Sequence, residues 1–254
     1  GIGQVTRPGV WTRLQVQLKS TEAIECRVEA TATDPTGDPA TFPSTAIKLQ
    51  ANEPAIASLF FMPGRIEETV TLKVVSPDGN VLVSRRLVAA ESASEETDFS
   101  VVKHTVPVWV VVGKIGSNRA GKSDQQSIQT ALADRGIHVN SLESASELPS
   151  HWRAYSATST VFLAGRFDLT DEQSDALNQW VRSGGHIVVI VGTRVEDLAD
   201  SPIADWAMND REVTASSLSD LSGLEAFAKS SFRIPIAARI KGSIIRAQDG
   251  ADVV

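Results

Sequence analysis

The sequence predicts a two-domain chain, an immunoglobulin-like β-sandwich over residues 1–100 followed by an α/β layer domain over residues 101–254. Three observations predict it. Apolar residues alternate with polar ones through the first 90 residues, as strands with one buried face require. A small, acidic stretch without periodicity, AESASEETDFS, separates the halves. Residues 160–192 then run as strand, loop, helix, double glycine and strand, which is one βαβ unit joined by a right-handed crossover.

In the first half, Trp11, Leu14, Val16 and Leu18 open the series, and Ile24, Cys26, Val28 and Ala30 continue it. Asp34-Pro35-Thr36-Gly37-Asp38 is a turn, with proline and glycine placed for one. Ile47 and Leu49, then residues 56–61, give two more strands. Val70, Leu72 and Val74 lead to Ser76-Pro77-Asp78-Gly79, a hairpin signal, with a return strand over residues 81–88. About six or seven short strands with regular turns make the sandwich.

In the second half, residues 107–112 form a buried strand, and residues 123–135 a helix stopped by Gly136. Residues 137–142 form a second strand. In the βαβ unit, Thr170 and Gln173 make a capping box, and Asp171 and Glu172 sit at the positive end of the helix dipole. Ala176, Leu177, Trp180 and Val181 make one apolar stripe, and Gly184 ends the helix. Residues 187–191 are the next strand. Residues 198–208 are helical or irregular, residues 218–228 helical, and residues 234–245 hold one or two strands.

Composition narrows function. With 42% hydrophobic and 22% charged residues the chain can bury a core, and a net charge of −7 argues against nucleic acid. No run reaches the roughly 20 apolar residues of a membrane helix. Cys26 is the single cysteine, which excludes an internal disulfide, and its alternation with apolar neighbours makes it a small core residue. The glycine at position 1 and the uncapped end predict a chain trimmed from a longer one.

Residues 116–123 fit the phosphate-loop pattern, with Gly116, Gly121, Lys122 and Ser123 in the defining positions between a strand and a helix. In such a loop, amides cradle phosphates, the lysine reaches the outer phosphates and the serine meets Mg²⁺. Against this, Ser123 and Gln126 form a capping box, Asp124 puts a carboxylate beside the phosphate position, and no later strand ends in the aspartate that holds the metal. The balance favours a capped loop, and no cofactor is expected. The four histidines, His104, His138, His151 and His186, share no metal spacing. Arg166, Asp168, Arg194 and Glu196 stand beyond presumed strand ends and line any crevice there.

Residues 161–163, Leu169-Thr170-Asp171-Glu172-Gln173, Trp180-Val181, Gly184-Gly185 and residues 187–191 together resemble a class I glutamine amidotransferase-like domain of the trehalose-utilisation type. Such domains occur in bacterial membrane-associated proteins, and the Pro8-Gly9-Val10-Trp11 opening is similar to theirs. The resemblance implies a flavodoxin-like parallel sheet with helices on both faces. It also implies a catalytic cysteine just after residues 187–191, where this chain has Gly192-Thr193-Arg194, and a later histidine–glutamate pair, although His186 is the last histidine. The implied role is therefore a non-catalytic binding or assembly module outside the cytoplasm, tethered by segments beyond this chain, with a protein or glycan partner. A nucleotide-binding enzyme using residues 116–123 is the alternative. A carbohydrate-acting hydrolase using Asp168 and Glu196 is the second alternative.

Overall fold

The computed structural model describes residues 2–66, 68–90, 98–113, 132–164, 167–191, 195–208, 214–218 and 240–244. Nine strands occupy the first part: β1 (Val5–Thr6), β2 (Thr12–Lys19), β3 (Ile24–Thr33), β4 (Pro39–Pro43), β5 (Ile47–Leu49), β6 (Pro54–Phe61), β7 (Glu68–Val75), β8 (Val81–Ala90) and β9 (Phe99–Val101). Seven share one sheet in the order β1-β9-β8-β7-β3-β4, with β5 also on β3, while β2 and β6 pair separately and antiparallel. The core between them takes Val28, Ala30 and Ala32 from β3, Ala57, Leu59 and Phe61 from β6, and Val70 and Leu72 from β7, with Leu14, Val16 and Leu18 of β2 packed against it. Each set sits at every second position, so one face of every strand is buried.

This is not the immunoglobulin-like arrangement expected. The large sheet is mixed, because β9 runs parallel to both β1 and β8, and its counterpart has only two strands. Alternation identifies the buried face of a strand but not its partner, so sheet membership lay beyond the pattern. Strand β4 also escaped the pattern, since prolines bound it at both ends; at the sheet's edge their missing N–H groups cost no ladder bond.

The second part holds four parallel strands, β10 (Val108–Val112), β11 (His138–Leu142), β12 (Thr160–Ala164) and β13 (His186–Ile190), in the order β11-β10-β12-β13. Between β12 and β13 runs helix α1 (Asp171–Arg182), capped reciprocally by Thr170 and Gln173. Gly184 has φ 99°, which closes the helix, and a Cβ on Gly185 would come within 2.1 Å of the Trp180 ring. The double glycine thus serves one turn and one close approach. Two short helices, α2 (Val195–Ala199) and α3 (Ala204–Ala207), follow, and β14 (Thr214–Leu218) pairs antiparallel with β15 (Ile240–Ile244). The expected helix over residues 123–135 lies almost wholly outside the described residues, and that over residues 218–228 does so beyond Leu218, which is in β14.

The flavodoxin-like and glutamine amidotransferase-like expectations are corrected here. Among the described residues strands make up 45% and helix 18%, with three short helices. Ala176, Leu177 and Trp180 of α1, Leu198 of α2 and Ala204 of α3 enter one core with Val110, Val112, Val161 and Leu163. On the opposite sheet face Trp109 and Phe162 pack at 4.9 Å, while Val188 and Ile190 stay 40% and 36% exposed. The residues that carried the resemblance are those any strand–helix–strand crossover needs: a capping box, an apolar stripe and a glycine stop. They record local helix mechanics rather than descent.

The amino-terminal residues join the two parts. Ile2 enters the helix-bearing core, and its carbonyl accepts from Asn140 Nδ2 at 3.1 Å. Val5 and Thr6 then pair with Ser100 and Val101.

Two expected outcomes follow from this packing. Gln173 Nε2 donates to the carbonyls of Leu148 and Ser146 at 2.6 and 3.1 Å, while its Oε1 accepts from Thr170 N at 2.9 Å. Gln173→Ala leaves those buried carbonyls unpaired, at about 1–3 kcal/mol in addition to the lost cap. Thr170→Ala costs only about 1 kcal/mol. Thermal melts should rank Gln173→Ala as the more damaging; an equal or reversed ranking would refute the anchoring role. On β8, residues 81–86 are exposed, with Val81, Leu82 and Val83 at 53%, 46% and 60%; among the described residues its outer edge is paired at Ala89 and Ala90 by β9 and at Val88 by Asp98, which also pairs with Arg85. Arg85 and Arg86 put charge on this open edge, a known guard against strand-to-strand aggregation. Replacing both with threonine should speed aggregation in light scattering, whereas Arg182→Thr should not.

Candidate binding site

Of the four residues read as lining a crevice, the structure describes Asp168 and Glu196. Asp168 is exposed between the buried Phe167 and Leu169, and Glu196 is exposed in the first turn of α2. Neither carboxylate hydrogen-bonds or forms an ion pair with another described residue. Arg166 and Arg194 lie outside the described residues, as do Gly116, Gly121, Lys122 and Ser123. Cys26 is buried on β3, and burial raises its thiol pKa, so it is a core residue and no nucleophile. Asp34 caps its own turn, accepting from the amides of Thr36, Gly37 and Asp38. Among the described residues, no cluster of three or more His, Cys, Asp or Glu is placed to hold a metal, and no helix is long and apolar enough to cross a membrane.

A different set of side chains converges where the two-stranded sheet meets the parallel-sheet part. Tyr155 begins it. Its side chain is fully buried, its hydroxyl donates to Pro149 O at 2.8 Å, and its ring stacks on Trp180 at 5.5 Å. Those contacts fix the short 3-10 turn Trp152–Tyr155, capped by His151, whose Nδ1 accepts from Arg153 N at 3.2 Å. The turn lies against β2 and β6. His151 meets the Phe60 ring at 4.6 Å and stacks on Trp152 at 6.2 Å. The Arg153 guanidinium lies over Trp11 at 4.9 Å and over Trp152 at 5.6 Å. Its Nε is buried with no hydrogen-bond partner.

The register of β2 on β6 extends this cluster into a ledge. Arg13 stands opposite Phe60, Gln15 opposite Ser58 and Gln17 opposite Ile56. Leu14, Val16, Leu59 and Ala57 take the alternate positions and point to the core. The outward face therefore has a polar row on β2 and a mixed row of Phe60, Ser58 and Ile56 on β6, with Ile56 63% exposed, and the ring cluster closes one end.

The charge at that end is positive. His151 has its pKa held below the ordinary histidine value, first by partial burial, then by the positive charges of Arg153 and Arg13. No carboxylate contributes to that shift. The Tyr155 hydroxyl is pushed far up by burial and stays protonated.

Sequence reasoning missed this site. The outward row was visible in Arg13-Leu14-Gln15-Val16-Gln17-Leu18-Lys19, where every second residue is long and polar. Its meeting with Trp152 and Arg153, some 140 positions away, left no local trace.

No protein-family model and no curated protein sequence matches the chain. Solved structures similar to it include a calcium-binding mutant of Bacteroides uniformis beta-glucuronidase 2, with 10% identity over 75% of this chain and 28% of that one, at a TM-score of 0.27. Another is Bacteroides uniformis beta-glucuronidase, with 9% identity over 74% of this chain and 22% of that one, at 0.27. A third is a Paenibacillus sp. cycloisomaltooligosaccharide glucanotransferase complexed with cycloisomaltoheptaose, with 10% identity over 73% of this chain and 26% of that one, at 0.26. The chain spans well under a third of each. These neighbours are carbohydrate-active enzymes, and at such scores the likeness carries no argument about this chain's fold or activity.

Titration of His151 tests this arrangement of charge. Its folded pKa lies below the unfolded value, so the folded state binds fewer protons, and stability contributed by the neutral ring is lost as pH falls from about 6.5 through the folded pKa. NMR titration of the ring should show a depressed midpoint that rises in Arg153→Gln and, by less, in Arg13→Gln. An unmoved midpoint in both would remove the two arginines as its electrostatic neighbours.

Proposed function

We propose that this chain is a non-catalytic binding module that holds a glycan on the outward face of β2 and β6. Residues 1–100 and 101–254 act in this reading as two modules that meet at the ledge. One observation carries it: the rings of Phe60, His151 and Trp152 gather at the end of an exposed row of glutamine amides. A sugar presents flat C–H faces and a rim of hydroxyls. Ring faces suit the first, and Gln15 and Gln17, each with donor and acceptor atoms, suit the second. An open ledge admits a chain at any point along it, as binding to a polymer requires, whereas a closed pocket selects an end. The ledge alone supports this reading. The extracytoplasmic setting was an implication of the amidotransferase resemblance and plays no part here.

Calorimetric titration with soluble oligosaccharides, neutral and acidic, tests the reading. Binding should be weakened about tenfold or more, some 1.4 kcal/mol, by Phe60→Ala and by Gln17→Ala. Leu82→Ser, on the remote β8 edge, should leave it unchanged. Failure of every oligosaccharide to bind, or binding indifferent to both ledge substitutions, would overturn the proposal.

A further inference from the structure

Resting on the ledge as the ligand site, we infer that its ligand is an acidic oligosaccharide, whose anionic group is received at the ringed end by Arg13, His151 and Arg153. The first support is placement. Register puts Arg13 opposite Phe60, Phe60 touches His151, and His151 caps the turn that carries Arg153. Three nitrogen-bearing side chains from two separate parts of the chain thus share one corner. They do so in a chain with net charge −7, so the corner is opposite in sign to the molecule as a whole.

The second support is how Arg153 is held. Tryptophan rings lie against its guanidinium, and such contacts engage the faces of that planar group. Its N–H donors radiate in the plane, in a fork that matches the two oxygens of a carboxylate or sulfate. Nε is already dry and unpaired, so the group is held without a full set of partners. A neutral sugar would leave this charge uncompensated, whereas an acidic one neutralises it where the surrounding rings reduce screening by water. Arg13 and Arg153 also hold His151 towards its neutral form, in which one ring nitrogen still donates.

The experiment compares trigalacturonate, a sulfated trisaccharide and neutral maltotriose by calorimetry at low and at moderate salt. Trigalacturonate should bind about tenfold or more tighter than maltotriose, and the advantage should shrink as salt screens the corner. Arg153→Gln should abolish the advantage. Arg153→Lys keeps the charge but loses the fork and should retain only part of it. Lys48→Gln, on β5, should retain all of it. Thermal melts of each variant separate misfolding from lost recognition, and Arg13→Gln supplies a second probe should Arg153→Gln unfold. Tighter binding of the sulfated sugar than of trigalacturonate would keep the acidic class and assign the anion as sulfate. Equal binding of acidic and neutral sugars would overturn this inference while leaving the glycan ledge standing. No binding by any of the three would overturn both, and an acidic preference unmoved by the arginine substitutions would overturn the assignment of the corner.

Discussion

The contact of Tyr155 with Trp180 is the interaction on which the rest of the molecule's working surface depends. It is the last step of a chain of small geometric necessities. Gly185 lacks a Cβ, so Trp180 can lie against the backbone after α1. Trp180 then offers a face to Tyr155, and Tyr155 ties down Pro149 through its hydroxyl. Only with both ends of that turn fixed do His151, Trp152 and Arg153 meet β2 and β6. An aromatic pair of this kind adds about 0.5–1.5 kcal/mol beyond the area it buries. Its larger effect is positional, because it converts packing on one side of the parallel sheet into a fixed surface on its neighbour.

Arg153 shows that stability alone does not explain the corner. Two cation–π contacts, at about 0.5–2 kcal/mol each, favour its placement. The unpaired, dry Nε opposes it by about 1–3 kcal/mol. The two effects are of the same size, so the net contribution to folding is small. A leucine or methionine would fill the space between the tryptophans at lower risk. The arrangement makes sense when the guanidinium edge has something to meet. This sets the site apart from the Gln173 hub, whose amide is satisfied on every side by Leu148, Ser146 and Thr170 and does only structural work.

How far the sequence could be read follows from the range of each interaction. Helix α1 was legible to the residue, since Thr170, Gln173, the apolar stripe and Gly184 all act within one helix length. The strands β2, β3 and β7 were legible for the same reason, through alternation, and β8 as the return strand after the Ser76-Pro77-Asp78-Gly79 turn. Partner choice was not, because nothing in β9 says that it will run parallel to β8. The same locality misled the family reading. Leu169-Thr170-Asp171-Glu172-Gln173 and Gly184-Gly185 satisfy the mechanics of a crossover and so recur wherever crossovers do. Asp168 and Glu196 drew notice because they follow strands, and both are exposed. The ledge was half legible, with the polar row of β2 plain in the sequence and the turn that closes it 140 residues away.

The tie between Ile2 and Asn140 bears on how the chain is made. The two residues are 138 positions apart. A ribosome adding about 5–20 residues per second needs about 7–28 s to travel that distance. Throughout that time Ile2 has neither the partner for its carbonyl nor the core for its side chain. The strands of the sheet part can close on one another meanwhile, since β2 to β8 are complete well before β11 emerges. Ile2 is therefore fixed later than the strands that follow it, and a chaperone that shields an apolar segment would have a long opportunity here.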